Sequence, residues 1–246
     1  MNAVAGPAIV GLAAALLLAL TLWKRKSPAA FREIPALTRL RRAAGLAVED
    51  GTRLHVSLGR GGLLTPRGAA PLAGLAVLRG LGEQASLSDR PPVATSGDGA
   101  LSVLSRDTLE AAYQAAGAEE FYQPTAGRAS GLTPFSYAAG ALPILHDEHI
   151  STTILLGDLG AEAALFAEAS ERESAMLAGG SSEAAAQAVL FAASSDALLG
   201  EEIFAAPAYL GADAAQRASL TVQDVLRWLI ILAMLAAAGL KFIGVA

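Results

Sequence analysis

Four short segments of this sequence hold residues whose types and spacing can do chemistry. His146-Asp147-Glu148-His149 is the first. Two imidazoles at i and i+3 share a face if a helix continues through them, and the carboxylates between them add oxygen ligands, so His146 and His149 are candidate metal ligands. The competing reading is a solvated polar helix end. The helix predicted before the segment should stop here, and the remaining histidine of the chain, His55, is distant in sequence.

The second segment is Gly59-Arg60-Gly61-Gly62, which follows the apolar run ending at Leu58. Glycine amides and a guanidinium can cradle a phosphate. The spacing matches neither G-x-G-x-x-G nor G-x-x-x-x-G-K-[ST], so a plain strand-to-helix turn competes. The third is Ser96-Gly97-Asp98-Gly99, where Asp98 either orients a ribose or a metal or closes an Asx turn. The fourth is Gly157-Asp158-Leu159-Gly160, whose Asp158 is a candidate ligand contact with the glycines of the other turns or, on the competing reading, the N-cap of the next helix.

Composition removes several chemistries. The chain has no cysteine, so disulfides, thiolate metal sites and cysteine nucleophiles are excluded. Its lysines are Lys24, Lys26 and Lys241, which leaves the whole middle without a Walker-A or Schiff-base lysine. No serine sits in a G-x-S-x-G context, and no catalytic set or cofactor is predicted.

The elements that must position these segments alternate in type. Strands are expected at Arg53–Leu58, Pro92–Thr95, Thr152–Leu156 and Ala175–Ala178. Helices are expected at Ala69–Glu83, Arg106–Ala116, Phe135–His146, Ala161–Glu173 and Ser182–Leu190, with Val189–Ala193 alternatively a strand. This alternation predicts an α/β fold with a parallel, Rossmann-like sheet. The Gly/Ser turns at Gly59, Ser96, Gly157 and Gly179 then share its carboxyl edge, where open α/β sheets bind ligands.

Long apolar runs flank this domain. Ala3–Trp23 carries no charge, and its 21 residues match the thickness of a bilayer core. Lys24, Arg25 and Lys26 follow it, with Arg32, Arg39, Arg41 and Arg42 beyond. Basic charge after the apolar run, with none before it, is the reverse of a secretory signal and places that flank in the cytoplasm. Val225–Val245 is the second expected span, with Arg227 and Trp228 at its inner edge and Lys241 snorkelling outward.

The expected organisation is therefore a transmembrane helix over 3–23, an amphipathic juxtamembrane helix within 27–52, a cytoplasmic α/β domain over 53–223 and a second transmembrane helix over 225–245. Both termini lie outside, in a two-pass protein of the inner (plasma) membrane. Gly11, Ala15 and Ala19, and Ala233 with Ala237, form small-residue stripes suited to close helix packing, within the chain or between copies.

The net charge of −5 is unevenly placed. Lys24–Arg106 holds 13 basic and 6 acidic residues, a net of +7, whereas Asp107–Ala246 holds 5 basic and 17 acidic, a net of −12. Such a chain has either a basic membrane-proximal and an acidic distal surface, or copies that pair head to tail. The arginines are spread and not interleaved with aromatics, so no nucleic acid partner is expected.

The run Arg32–Leu63, with SGDG, Tyr122–Gly127 (YQPTAG), Gly157–Ala163 (GDLGAEA) and LAGGSS, resembles an uncharacterised family of prokaryotic membrane proteins known as a domain of unknown function. The resemblance covers nearly the whole chain. It implies a prokaryotic membrane protein and brings no catalytic residues with it. The leading expectation is a non-enzymatic membrane module that self-assembles or scaffolds a complex. The alternative is a membrane-tethered nucleotide or small-ligand sensor that uses the glycine turns.

Overall fold

The computed structural model describes residues 5–23, 32–211 and 214–242. The basic cluster Lys24, Arg25 and Lys26, the expected juxtamembrane residues up to Phe31, and the outer ends of both expected spans (Ala3 and Val4; Ile243 to Val245) lie outside the described residues. The chain forms two compact units, Glu33–Gly211 and the terminal segments Met1–Arg32 with Ala212–Ala246.

In Glu33–Gly211 the order is α2 (Pro35–Glu49), β1 (Arg53–Gly59), α3 (Ala69–Ala85), β2 (Val93–Ser96), α4 (Gly99–Ala115), β3 (Gly127–Ala129), α5 (Pro134–Asp147), β4 (Ile150–Asp158), α6 (Ala163–Arg172), β5 (Met176–Ser181), α7 (Ala184–Ala193), β6 (Asp196–Ala197) and α8 (Glu202–Leu210). The six strands form one parallel sheet, ordered β3-β2-β1-β4-β5-β6. The order runs outward from β1 in one direction and from β4 in the other, so the switch point lies between these two strands.

Strand alternation divides the core. Leu54, Val56 and Leu58 of β1 join Ile154, Leu156 and Ala178 under α2, α3, α4 and α8. Leu155 and Leu177 on the other face pack with Tyr137, Phe166, Ala186 and Leu190 of α5, α6 and α7. Burying side chains such as Leu58 and Phe166 contributes about 1.5–3 kcal/mol each. On α2 the same logic sinks Ala36, Leu37, Leu40, Ala44 and Ala47 and leaves Arg41 and Arg42 outside.

Several boundaries differ from the sequence reading. The juxtamembrane helix is confined to Pro35–Glu49, with proline at its start. Helix α4 begins seven residues before the expected Arg106, because Asp98 caps it: its Oδ1 accepts from the Leu101 N–H at 3.0 Å. Asp158 caps no helix; it ends β4, and α6 starts only at Ala163. Val189–Ala193 is helical, within α7. Gly179 and Gly180 lie inside β5 and not in the turn after it. Strands β3 and β6 and helix α8 had no clear signal, since two- and three-residue strands leave no periodicity to read.

The terminal unit contains α1 (Ala5–Trp23) and α9 (Ala214–Phe242), which touch each other. Helix α9 starts eleven residues ahead of the expected Val225. Among the described residues one helix, over Ala215–Gly239, is long and apolar enough to cross a membrane; the apolar stretch of α1, Ala13–Leu22, is shorter.

Candidate functional site

Parallel pairing gathers the glycine segments at the carboxyl edge of the sheet, on both sides of the switch point. The Arg60 N–H donates to the Asp158 carbonyl (3.0 Å) and the Gly97 N–H to the Gly59 carbonyl (2.8 Å). Gly59, Arg60, Gly61, Gly62, Ser96, Gly97, Asp98 and Asp158 thus share one crevice, while Gly99 opens α4 and its α-carbon faces open space.

The contents of the crevice are acidic. Gly59 has φ +74°, and a Cβ there would lie 2.4 Å from the Asp158 carbonyl oxygen. A Cβ on Gly61 would lie 2.4 Å from Asp158 Oδ2, and one on Gly62 3.1 Å from Asp98 Oδ2. A phosphate loop uses glycine so that its backbone can approach a ligand. Here the space beside the glycines is filled by the protein's own carboxylates.

Arg60 is engaged as well. Its Nε donates to Glu162 Oε1 (3.2 Å) and its Nη2 to Glu183 Oε1 (3.3 Å). Arg67 also pairs with Glu183 and stands 3.7 Å from Asp158. Two guanidinium groups therefore meet three carboxylates, of which Glu162 and Asp158 are buried. An incoming anion would have to displace one of these carboxylates. Ser182 Oγ completes the set by donating to Asp158 Oδ1 at 3.1 Å.

Beneath the crevice, on the face covered by α5 and α6, runs a buried polar network absent from the sequence reading. His55 Nε2 and Thr95 Oγ1 share a hydrogen bond of 2.9 Å, Thr95 Oγ1 and the Tyr137 hydroxyl one of 3.0 Å, and Tyr137 and Ser57 Oγ one of 2.5 Å. His55, Ser57, Thr95 and Tyr137 are all fully buried. Burial, helped by the charge of Arg128, drives the His55 pKa down to about 3, so the ring is neutral. Burial pushes Tyr137 up to about 12, against the hydrogen bonds from Ser57, Thr95 and the Gly59 backbone. The His55 ring stacks on Phe166, with centroids 6.1 Å apart. One signal was legible: His55 and Ser57 alternate with Leu54, Val56 and Leu58, which marks a polar face on a buried strand.

The candidate metal pair does not share a helix face, and the segment is the polar helix end that the competing reading described. Helix α5 ends at Asp147, and His149 lies beyond it with φ +53°. His146 Nδ1 lies 3.1 Å from Glu173 Oε1. Among the described residues no group of three or more His, Cys, Asp or Glu is arranged to hold a metal. Of the small-residue stripes, Gly11, Ala15, Ala19, Ala233 and Ala237 are all exposed in the single chain. An open groove of about 810 Å³ between α6 and α7, lined by Ala167, Ser170, Leu177, Val189 and Asp196 among others, lies apart from the switch-point residues.

No curated protein and no solved structure matches the chain. The family comparison reaches further, because its match spans both terminal helices along with the sheet, the switch-point loops and the buried network between them. Over residues 4–246 the chain belongs to the family described as Domain of unknown function (DUF6754).

Proposed function

We propose that the protein is a membrane-anchored, non-enzymatic α/β module that assembles with copies of itself or scaffolds a larger membrane complex. The observation that carries this reading is the filled switch point. Asp158 occupies the space beside Gly59 and Gly61, and Glu162 and Glu183 hold Arg60. Large apolar side chains meanwhile stand exposed at the same edge: Leu64 between β1 and α3, Leu132 between β3 and α5, and Phe135 in the first turn of α5. Such residues suit protein contact better than catalysis.

The reading includes two membrane-spanning helices, α1 and α9, in the inner (plasma) membrane of a prokaryote, with both termini outside. The uncharged length of α1, the apolar length of α9 and the basic residues after Trp23 support it. Purification in mild detergent followed by native mass spectrometry tests the assembly. Discrete oligomers that weaken on Leu132→Asp or Phe135→Asp are expected; a strictly monomeric protein at every concentration refutes it.

The strand order favours a second reading, a nucleotide or small-ligand sensor, because ligands of such sheets bind at the switch point. A rise in Tm with a nucleotide, abolished by Arg60→Gln, would establish it over the first.

A further inference from the structure

At the amino-terminal edge of the sheet, three arginines act on one carboxylate. Arg53 opens β1, Arg128 lies in β3, and Arg90 precedes β2. Arg53 Nη1 donates to Glu148 Oε2 at 2.6 Å, and Arg128 Nη2 donates to Glu148 Oε1 at 2.5 Å. Both oxygens of Glu148 are thus taken, and its single negative charge serves two guanidinium groups. The charge of Arg90 also reaches Glu148. Arg90 is exposed and forms no ion pair with a carboxylate among the described residues.

The YQPTAG segment, Tyr122–Gly127, organises this cluster without neutralising it. Gln123 Oε1 accepts from Arg53 Nη2 at 2.6 Å, and the Thr125 carbonyl accepts from Arg128 Nε at 2.8 Å. Both acceptors are uncharged. The Arg53 side chain is 9% exposed, and its Nε has no partner. A buried cation is tolerated when a full counter-charge faces it. Arg53 shares its one counter-charge with Arg128, so the group of three arginines and Glu148 keeps a surplus of two positive charges. Arg128 and Glu148 are partly open to solvent, so an anion has access. The surplus acts on its neighbours: Arg128 adds to the depression of His55, and Arg53 works against the burial that raises Tyr113.

We propose that the Arg53–Arg90–Arg128 cluster binds a phosphate-type anion, either free phosphate or the phosphate of an anionic lipid headgroup. Planar guanidinium groups match phosphate oxygens in pairs. Arg128 and Arg90 contact the anion, and Arg53 contributes its field from beneath. The switch-point arginines differ in kind, because Glu162, Glu183 and Asp158 already neutralise them.

The test uses the full chain in phosphatidylcholine nanodiscs, with inorganic phosphate as the probe and sodium chloride of equal ionic strength as the control. A saturable rise in Tm of about 5–10 °C is expected at phosphate 100-fold above its Kd. Arg90→Gln and Arg128→Gln abolish the rise, and Arg60→Gln leaves it intact. A repeat in nanodiscs containing phosphatidylglycerol separates the sources. A headgroup ligand raises the starting Tm in an Arg90-dependent way and leaves phosphate without further effect. A free-phosphate ligand gives the same titration in both bilayers. If the wild-type protein shows neither a phosphate nor a phosphatidylglycerol response, or if the response survives Arg90→Gln with Arg128→Gln, the site does not exist.

Discussion

Acidification tests the buried network through His55. The unfolded imidazole titrates near 6.5 and the native one near 3. Between these values the unfolded chain binds a proton that native His55 refuses. Stability therefore rises with pH across this window and is lost as pH falls through it. Each pH unit well inside the window costs about 1.4 kcal/mol. Going from pH 7 to pH 5 thus removes about 2 kcal/mol, and the full window about 5 kcal/mol. The upper part of the window isolates the imidazole, since carboxylates titrate lower. Tyr113, Tyr122, Tyr137 and Tyr209 all lie in Glu33–Gly211, whereas Trp23 and Trp228 lie in the terminal helices. Near-ultraviolet circular dichroism of the tyrosines therefore follows the α/β unit in the full chain. A fall in Tm of about 4–8 °C between pH 7 and 5 is expected for the wild type. His55→Gln keeps a donor toward Thr95 and cannot titrate, so most of that fall should vanish. An equal fall in both proteins, or a His55 ring resonance titrating near pH 6.5, would refute burial as the controlling cause.

Three further outcomes follow from the same geometry. Gly59→Ala should cost about 3 kcal/mol in urea unfolding, because the new Cβ combines a positive φ with overlap on the Asp158 backbone. Thr153→Val should raise Tm by about 2–4 °C: the Thr153 hydroxyl is buried without a partner, and valine keeps its shape. Burial raises the Glu148 carboxyl, but the hydrogen bond from Arg128 and the charges of Arg53, Arg128 and Arg90 outweigh it and hold its pKa below the ordinary value. The stability Glu148 contributes is accordingly full above its unfolded pKa and lost as pH falls through the folded one. Glu148→Gln should cost about 2–3 kcal/mol at pH 7 by leaving buried Arg53 without a counter-charge.

The sequence alone determined what periodicity and composition encode. Short apolar runs located β1, β2, β4 and β5, helical spacing located α2, longer Ala/Leu-rich stretches located α3, α5, α6 and α7, and the succession of strand and helix implied a parallel sheet with its glycine turns on one edge. The missing lysines and cysteines excluded whole chemistries without any coordinates. Strands as short as β3 and β6 were illegible, because partners from elsewhere in the chain hold them and no local pattern does. The meaning of the glycines was also decided in three dimensions. Gly61 and Asp158 are far apart in sequence, and only the β1–β4 pairing sets a carboxylate where a phosphate loop would leave room. His146 and His149 could share a face only if a helix ran through both, and α5 ends between them, where the sequence reading placed its stop. Two arginines meeting one glutamate, and a histidine held neutral among hydroxyls, arise from contacts between strands and loops distant in sequence. Charge compensation and desolvation depend on distances across the fold, and one chain read end to end does not contain those distances.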